Sequence, residues 1–220
     1  MRTNPLNEAW AFLTGTSSFH QEAGFQSIFM VPLFYILLAA GIWIARKNWL
    51  EDASQRTTEH LATWFMRVMI GVMWFEGSVW KLPLPLSEGF PYWVDQMKIH
   101  AAFDLHRWVI VNVYQTQPIL TLMNIMVFLV EVAMAASLIL GFGVRLFAVI
   151  GMAFAFHLYL GLYRHPAEWP WLFVFLIFVQ GFFVMYAAGR SLGLDAILRK
   201  AKEGMFAPGT TRGDLYRRVS

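Results

Sequence analysis

The sequence predicts an all-α integral membrane helical bundle of five spans, and three observations predict it. Hydrophobic residues make up 58 % of the 220 residues and charged ones only 14 %, against roughly 25 % charged in soluble domains. Five apolar runs approach the roughly 20 residues a helix needs to cross about 30 Å of hydrocarbon. Inside a bilayer only helices and closed barrels satisfy their own backbone, and runs of this length read as helices.

The runs are residues 27–45, 62–82, 119–140, 144–162 and 169–188. The N-terminal stretch lacks the short charged region and immediate apolar core of a cleavable signal, so the first span is expected to remain as an anchor. Residues 1–61 thus form an N-terminal segment with one span and an inner loop. Residues 62–200 form a four-helix core, and 201–220 a basic inner tail. The connection 83–118 is the one sizeable extramembrane piece; its mixed faces predict a helix lying on the interface or capping the bundle.

Basic residues set the orientation. Arg46, Lys47, Arg56, Arg145, Arg190, Arg199, Lys200, Lys202, Arg212, Arg217 and Arg218 fall on one side of the predicted spans. Arg2, Lys81, Lys98, Arg107 and Arg164 fall on the other. An excess of Lys and Arg marks cytoplasmic loops, which places the N-terminus outside and the C-terminus inside an inner (cytoplasmic) membrane. This distribution accounts for the basic balance without a nucleic-acid partner. The chain has no cysteine, which excludes thiol catalysis, covalently attached haem and cysteine-held iron–sulfur clusters within it. His100 and His106 are six apart, off the i, i+4 spacing of a helical pair, and no metal site is expected there.

Ionisable groups inside apolar spans are expensive and mark function by default. At about 1.5 Å of rise per residue, Glu76 lies about 20 Å above the inner ends of the spans, Glu131 about 15 Å, His157 about 18 Å and Gln180 about 13 Å. Four helices thus supply one predicted polar layer pointing into the bundle. Arg67 and Glu76, nine residues apart, face opposite sides of their helix. Arg67 and Lys81 are expected near opposite interfaces, where long side chains snorkel. The layer has two readings: a site, or hydrogen-bonding glue between helices. The carboxyls of Glu76 and Glu131 favour the site; His157 and Gln180 suit either. The string GFGVRL, residues 141–146, lacks the third glycine of a dinucleotide fingerprint and reads as a tight inner turn.

Within the second span, Arg67, Gly71, Phe75, Gly77 and Lys81 form R-x3-G-x3-F-x-G-x3-K. This pattern resembles the first core helix of the DoxX/DoxD family of small bacterial and archaeal membrane proteins. EVAMAASLILGFGVRLFAVIG, residues 131–151, is similar to that family's glutamate, glycine turn and arginine, and AAGRSLGLDAILRK, residues 187–200, to its closing segment. The added first span and the long connection depart from the family pattern.

The resemblance implies a DoxX-like four-helix core and a membrane subunit of a quinone-linked oxidoreductase acting in thiosulfate or related sulfur-compound oxidation. In that reading Glu76 and Glu131 exchange protons, and His157 hydrogen-bonds a quinone carbonyl. Gln180, Arg67 and Lys81 surround the head group and orient the helices, and Arg145 anchors the inner turn. The cofactor is quinone. Electrons arrive from a protein partner subunit, because the chain has no cofactor signature of its own. The alternative is a non-catalytic membrane subunit or docking factor of a larger complex, in which the buried ions fix helix register. A solute or proton pathway ranks lower, since the paired broken helices of secondary transporters are not evident.

Overall fold

The computed structural model describes residues 4–200 and 208–220. Arg2 and Lys202, both part of the charge distribution above, lie outside the described residues, as does the stretch 201–207 of the basic tail. Among the described residues the chain is helical throughout, with no strand.

Helix α1 (Pro5–Thr14) opens on Asn4, whose side chain accepts from the Leu6 N–H, and closes on Gly15 in the left-handed region. A short helix α2 (Ser18–Glu22) starts on the Ser17 hydroxyl. Then follow α3 (Ser27–Glu51) and α4 (Thr58–Val79), the latter capped by Thr57, whose hydroxyl accepts from the His60 N–H at 3.2 Å. The connection folds as α5 (Gly89–His100), α6 (Asp104–Val109) and a π-helical turn over Ile110–Tyr114. The remaining elements are α7 (Ile119–Leu140), α8 (Val144–Leu162), α9 (Pro170–Met185), α10 (Leu194–Arg199) and α11 (Thr211–Val219).

Three helices are long and apolar enough to cross a membrane: Gly24–Glu51, Ile119–Leu140 and Val144–Leu162. The two other predicted spans are also helices. Of these, α9 is apolar but only 16 residues long, and α4 has 22 residues but carries Glu59, Arg67 and Glu76.

The contacts divide the chain into two compact units. The first comprises Met1–Tyr35, Trp74–Val132 and Phe156–Val174, and the second Ile36–Met73, Ala133–Ala155 and Phe175–Ser220. The core of the first unit is Phe90, Val94 and Met97 of α5 with Ile110, Leu162 and Phe173. The connection therefore packs on the ends of α8 and α9, and its backbone is tied there: Ala102 N–H donates to Leu160 at 2.8 Å and Arg164 N–H to His100 at 3.1 Å. A second cluster sets Phe75 of α4 against Phe34 and Phe12, at ring separations of 5.2 and 6.4 Å.

The core of the second unit is Met134, Ala135, Leu138, Ile139, Val144, Ala148, Phe183 and Ala188. Gly71 allows α4 to touch α7 here, since a Cβ at that position would stand 2.9 Å from Ile139 Cγ1. The predicted tight turn between α7 and α8 is present, with Gly141 and Gly143 at φ of +73° and +59°. It is crossed closely by the loop before α10: a Cβ on Gly141 would lie 2.6 Å from Gly193 Cα.

Candidate functional site

The four residues expected to share one polar layer, and the two cations expected near the interfaces, fall into different settings. Glu76, Lys81, Glu131 and His157 belong to the first unit, and Arg67 and Gln180 to the second.

In the first unit Lys81 and Glu131 form a buried ion pair. Lys81 is 4 % exposed and Glu131 3 %. The ammonium donates to Glu131 Oε1 at 2.7 Å, stands 2.6 Å from Oε2, and donates to the Gly77 carbonyl at 2.6 Å. It also lies 4.0 Å from the centroid of the Trp80 ring, within cation–π range. The expectation of a snorkelling Lys81 is thus corrected. Lys81 follows the last turn of α4, its stem folds back over that turn, and an α7 carboxylate takes its charge before any headgroup can. Asn124 closes the other side by donating to the carbonyls of Lys81 and Pro85, at 3.0 and 3.1 Å.

Glu76 also departs from expectation, because it lies on the exposed face of α4. Phe75, 1 % exposed, takes the inward direction and binds its aromatic cluster. The next residue is rotated about 100° away from it. Glu8 of α1 is near enough for the two carboxylates to repel.

His157 on α8 is half-buried. Its ring is 4.9 Å from that of His106 and 5.5 Å from that of Tyr114. His106 Nε2 is buried with no hydrogen-bond partner, a costly condition that native structures seldom keep without a water or ligand. Burial holds His106 below its ordinary pKa and pushes the Tyr114 hydroxyl above its own. Near neutral pH both are therefore uncharged, each with a proton to donate. The sequence pointed to no site at His106 and did not single out Tyr114. The helical repeat could not pair them with His157, because they come from the connection.

In the second unit Arg67 is fully buried, where a side chain snorkelling toward an interface was expected. Its guanidinium donates to the carbonyls of Leu138, Ile139 and Ser191, the last two at 3.3 and 3.4 Å. These are the last carbonyls of α7 and one from the loop before α10. The cation is thus drawn to the negative end of a helix. Gln180 is also fully buried; its amide donates to Leu176 at 3.4 Å and its Oε1 has no partner. Gly151 makes room for it, since a Cβ there would come within 1.8 Å of that oxygen.

The inner turn is anchored by Asp195, a residue the reading of polar spans did not select. Its carboxylate accepts from the N–H groups of Gly143 and Val144, at 2.8 and 3.3 Å, and from the Tyr216 hydroxyl. Arg145, expected to hold that turn, instead donates from Nε to the Val184 carbonyl at 3.1 Å.

Among the described residues no group of three or more His, Cys, Asp or Glu is placed to hold a metal ion. His100 faces His165, with ring centroids 4.8 Å apart. No family model, curated protein or solved structure matches the chain.

Proposed function

We propose that this chain is the membrane subunit of a quinone-linked oxidoreductase complex of the DoxX/DoxD type, crossing a bacterial or archaeal inner membrane five times with its N-terminus outside. The observation that carries the reading is the His157, His106 and Tyr114 cluster, where a buried imidazole nitrogen lacks a hydrogen-bond partner. A quinone, when bound, supplies an acceptor of two electrons and two protons. The part of this chain is to hold its carbonyl oxygens: His157 and Tyr114 donate, and His106 joins them on its unsatisfied nitrogen.

Glu131, with both oxygens on the Lys81 ammonium, holds α7 to the end of α4 in this reading, and the head group falls to His157. Arg67 and Gln180 serve the packing of their own unit. Electrons come from a partner subunit. The sulfur-compound donor is carried by the family resemblance alone.

The test is mild-detergent purification followed by organic extraction and mass spectrometry. Quinone is expected with the wild type, lost from His157→Ala and His106→Ala, and retained by Glu76→Gln. A wild-type protein extracted without quinone overturns the assignment.

One observation favours the second reading, a non-catalytic docking subunit. Glu76 is exposed in the last turn of α4, one of the predicted spans, where lipid tolerates a carboxylate poorly and a partner's helix would cover it. That reading expects a co-purifying protein released by Glu76→Lys, with no quinone in the extract.

A further inference from the structure

Helix α1 carries two opposed demands. Leu6 and Trp10 are 77 and 69 % exposed, and with Leu13 they follow the i, i+4, i+7 spacing of one helical edge. Asn7 and Glu8, exposed as well, lie outside that edge. Water suits the second pair and not the first; hydrocarbon suits the first and takes a carboxylate only at high cost. No residue of α1 is buried, so packing against the bundle does not resolve the conflict.

The helix is held at a defined level. At Gly15, with φ of +69°, the chain turns so closely onto α3 that a Cβ there would stand 2.6 Å from Val31 Cγ2. The Tyr35 hydroxyl donates to the Leu13 carbonyl at 2.8 Å, and Phe12 meets Phe34 with ring centroids 5.1 Å apart. Counted from Ser27, the first residue of α3, these contacts lie about 6 to 12 Å along the helix at about 1.5 Å per residue. α3 belongs to the stretch Gly24–Glu51, long and apolar enough to cross a membrane, and Ile28 and Phe29 at this end of it are exposed. The C-terminal end of α1 is therefore fastened beside the apolar surface of a spanning helix, below that helix's own start.

A helix lying in the interface meets both demands, because its apolar edge dips about 5–10 Å into the boundary between head groups and acyl chains while its polar residues stay wet. Trp10 suits that level, where amphipathic rings collect. α1 has no Lys or Arg and one acid, Glu8, so burial of apolar area drives the contact without attraction to anionic head groups.

We infer that α1 lies along the membrane–water interface at the N-terminal end of α3, with Leu6, Trp10 and Leu13 in the acyl boundary and Asn7 and Glu8 toward water. Its partner is the lipid surface, whatever the head-group charge. The inference is independent of the quinone assignment and needs only that α3 crosses the bilayer.

The chain has no cysteine, so one introduced thiol takes one spin label. The full chain carrying Leu6→Cys, Trp10→Cys or Asn7→Cys is labelled and reconstituted in phosphatidylcholine vesicles. Electron paramagnetic resonance then compares collisions with oxygen, which concentrates in hydrocarbon, and with a water-soluble nickel chelate. Labels at positions 6 and 10 are expected to favour oxygen, as a label on Phe29→Cys of α3 does, and the label at position 7 to favour nickel. Preference for nickel at 6 and 10 places α1 in water and overturns the inference. Shielding of both positions from both reagents means that protein covers the edge, and overturns it too. Phosphatidylglycerol added to the vesicles should leave the ratio unchanged; labels that enter the bilayer only in its presence overturn the apolar basis. A second measurement does without labels: brominated phosphatidylcholine should quench a smaller share of the tryptophan fluorescence in Trp10→Phe than in the wild type, and an equal or larger share overturns the placement of Trp10.

Discussion

The two units bury charge in opposite ways. In the first, Lys81 and Glu131 neutralise each other side chain to side chain, 2.6 Å apart. In the second, Arg67 and Asp195 are each bound chiefly by backbone: the cation by the carbonyls of Leu138, Ile139 and Ser191, the anion by the amides of Gly143 and Val144. A side-chain pair fixes where two helices meet and can be replaced as a pair. A charge held by backbone dipoles fixes the path of the chain itself, here the α7–α8 turn and the loop that crosses it, and no second substitution replaces what it holds. The first arrangement sets register; the second shapes turns.

The sharpest break of this comparison is at Lys81 and Glu131. Lys81→Ala or Glu131→Ala should each cost about 3–5 kcal/mol, because each strands a buried charge, while Lys81→Met with Glu131→Leu should recover most of the loss. Unfolding of the three variants in one detergent forms a double-mutant cycle; strictly additive losses would mean that the pair is not the unit of stability.

Next comes Arg67→Met, expected to cost about 2–3 kcal/mol through carbonyls left without their charged donor. Adding Asp195→Asn should deepen the loss, in contrast to the first unit. Recovery in that double variant would erase the distinction between the units.

A smaller effect is expected from Tyr216→Phe, about 1–2 kcal/mol for the lost hydrogen bond to Asp195. It should show as faster proteolysis within α11 with the rest of the chain intact. Unchanged cleavage would mean that the stacking of Tyr216 on Phe142, with ring centroids 5.8 Å apart, holds the helix without the hydroxyl.

The pH dependence comes next in size. Burial lowers the folded-state pKa of His106 and of His20 below the ordinary value. The folded form then binds fewer protons than the unfolded one. Their contribution is present above the unfolded pKa of about 6.5 and is lost as pH falls below it. Melting temperature should drop between pH 8 and pH 5.5, and less steeply in His106→Gln; an equal slope would remove His106 from the account.

The smallest effect belongs to Asp52 and Lys200. Lys200, with Ser54, holds the Asp52 carboxyl at about 2. This stabilisation is present near neutral pH and is lost as pH falls through that value. The lysine is largely exposed, and salt screens such pairs, so Lys200→Ala should leave a melt in high salt unchanged.

Composition and apolar runs carried the helices to the reader before any coordinates. Residues 119–140 and 144–162 match α7 and α8 at both ends, and the glycines at 141 and 143 announced the turn between them. The reason is local, since helix length and a positive φ depend on a few neighbouring residues. Depth along a helix was also legible, but depth does not say which way a side chain faces. Glu76 turned outward because Phe75 had a cluster to join, and Lys81 turned inward because Glu131, fifty positions later, was there to meet it. His106 and Tyr114 reached His157 only because the connection folds back on α8. By itself the sequence determined the helices, their apolar character and the turn. Only the tertiary structure decided which charges are paired and which are bound by backbone, because those outcomes depend on distances between residues far apart in the chain.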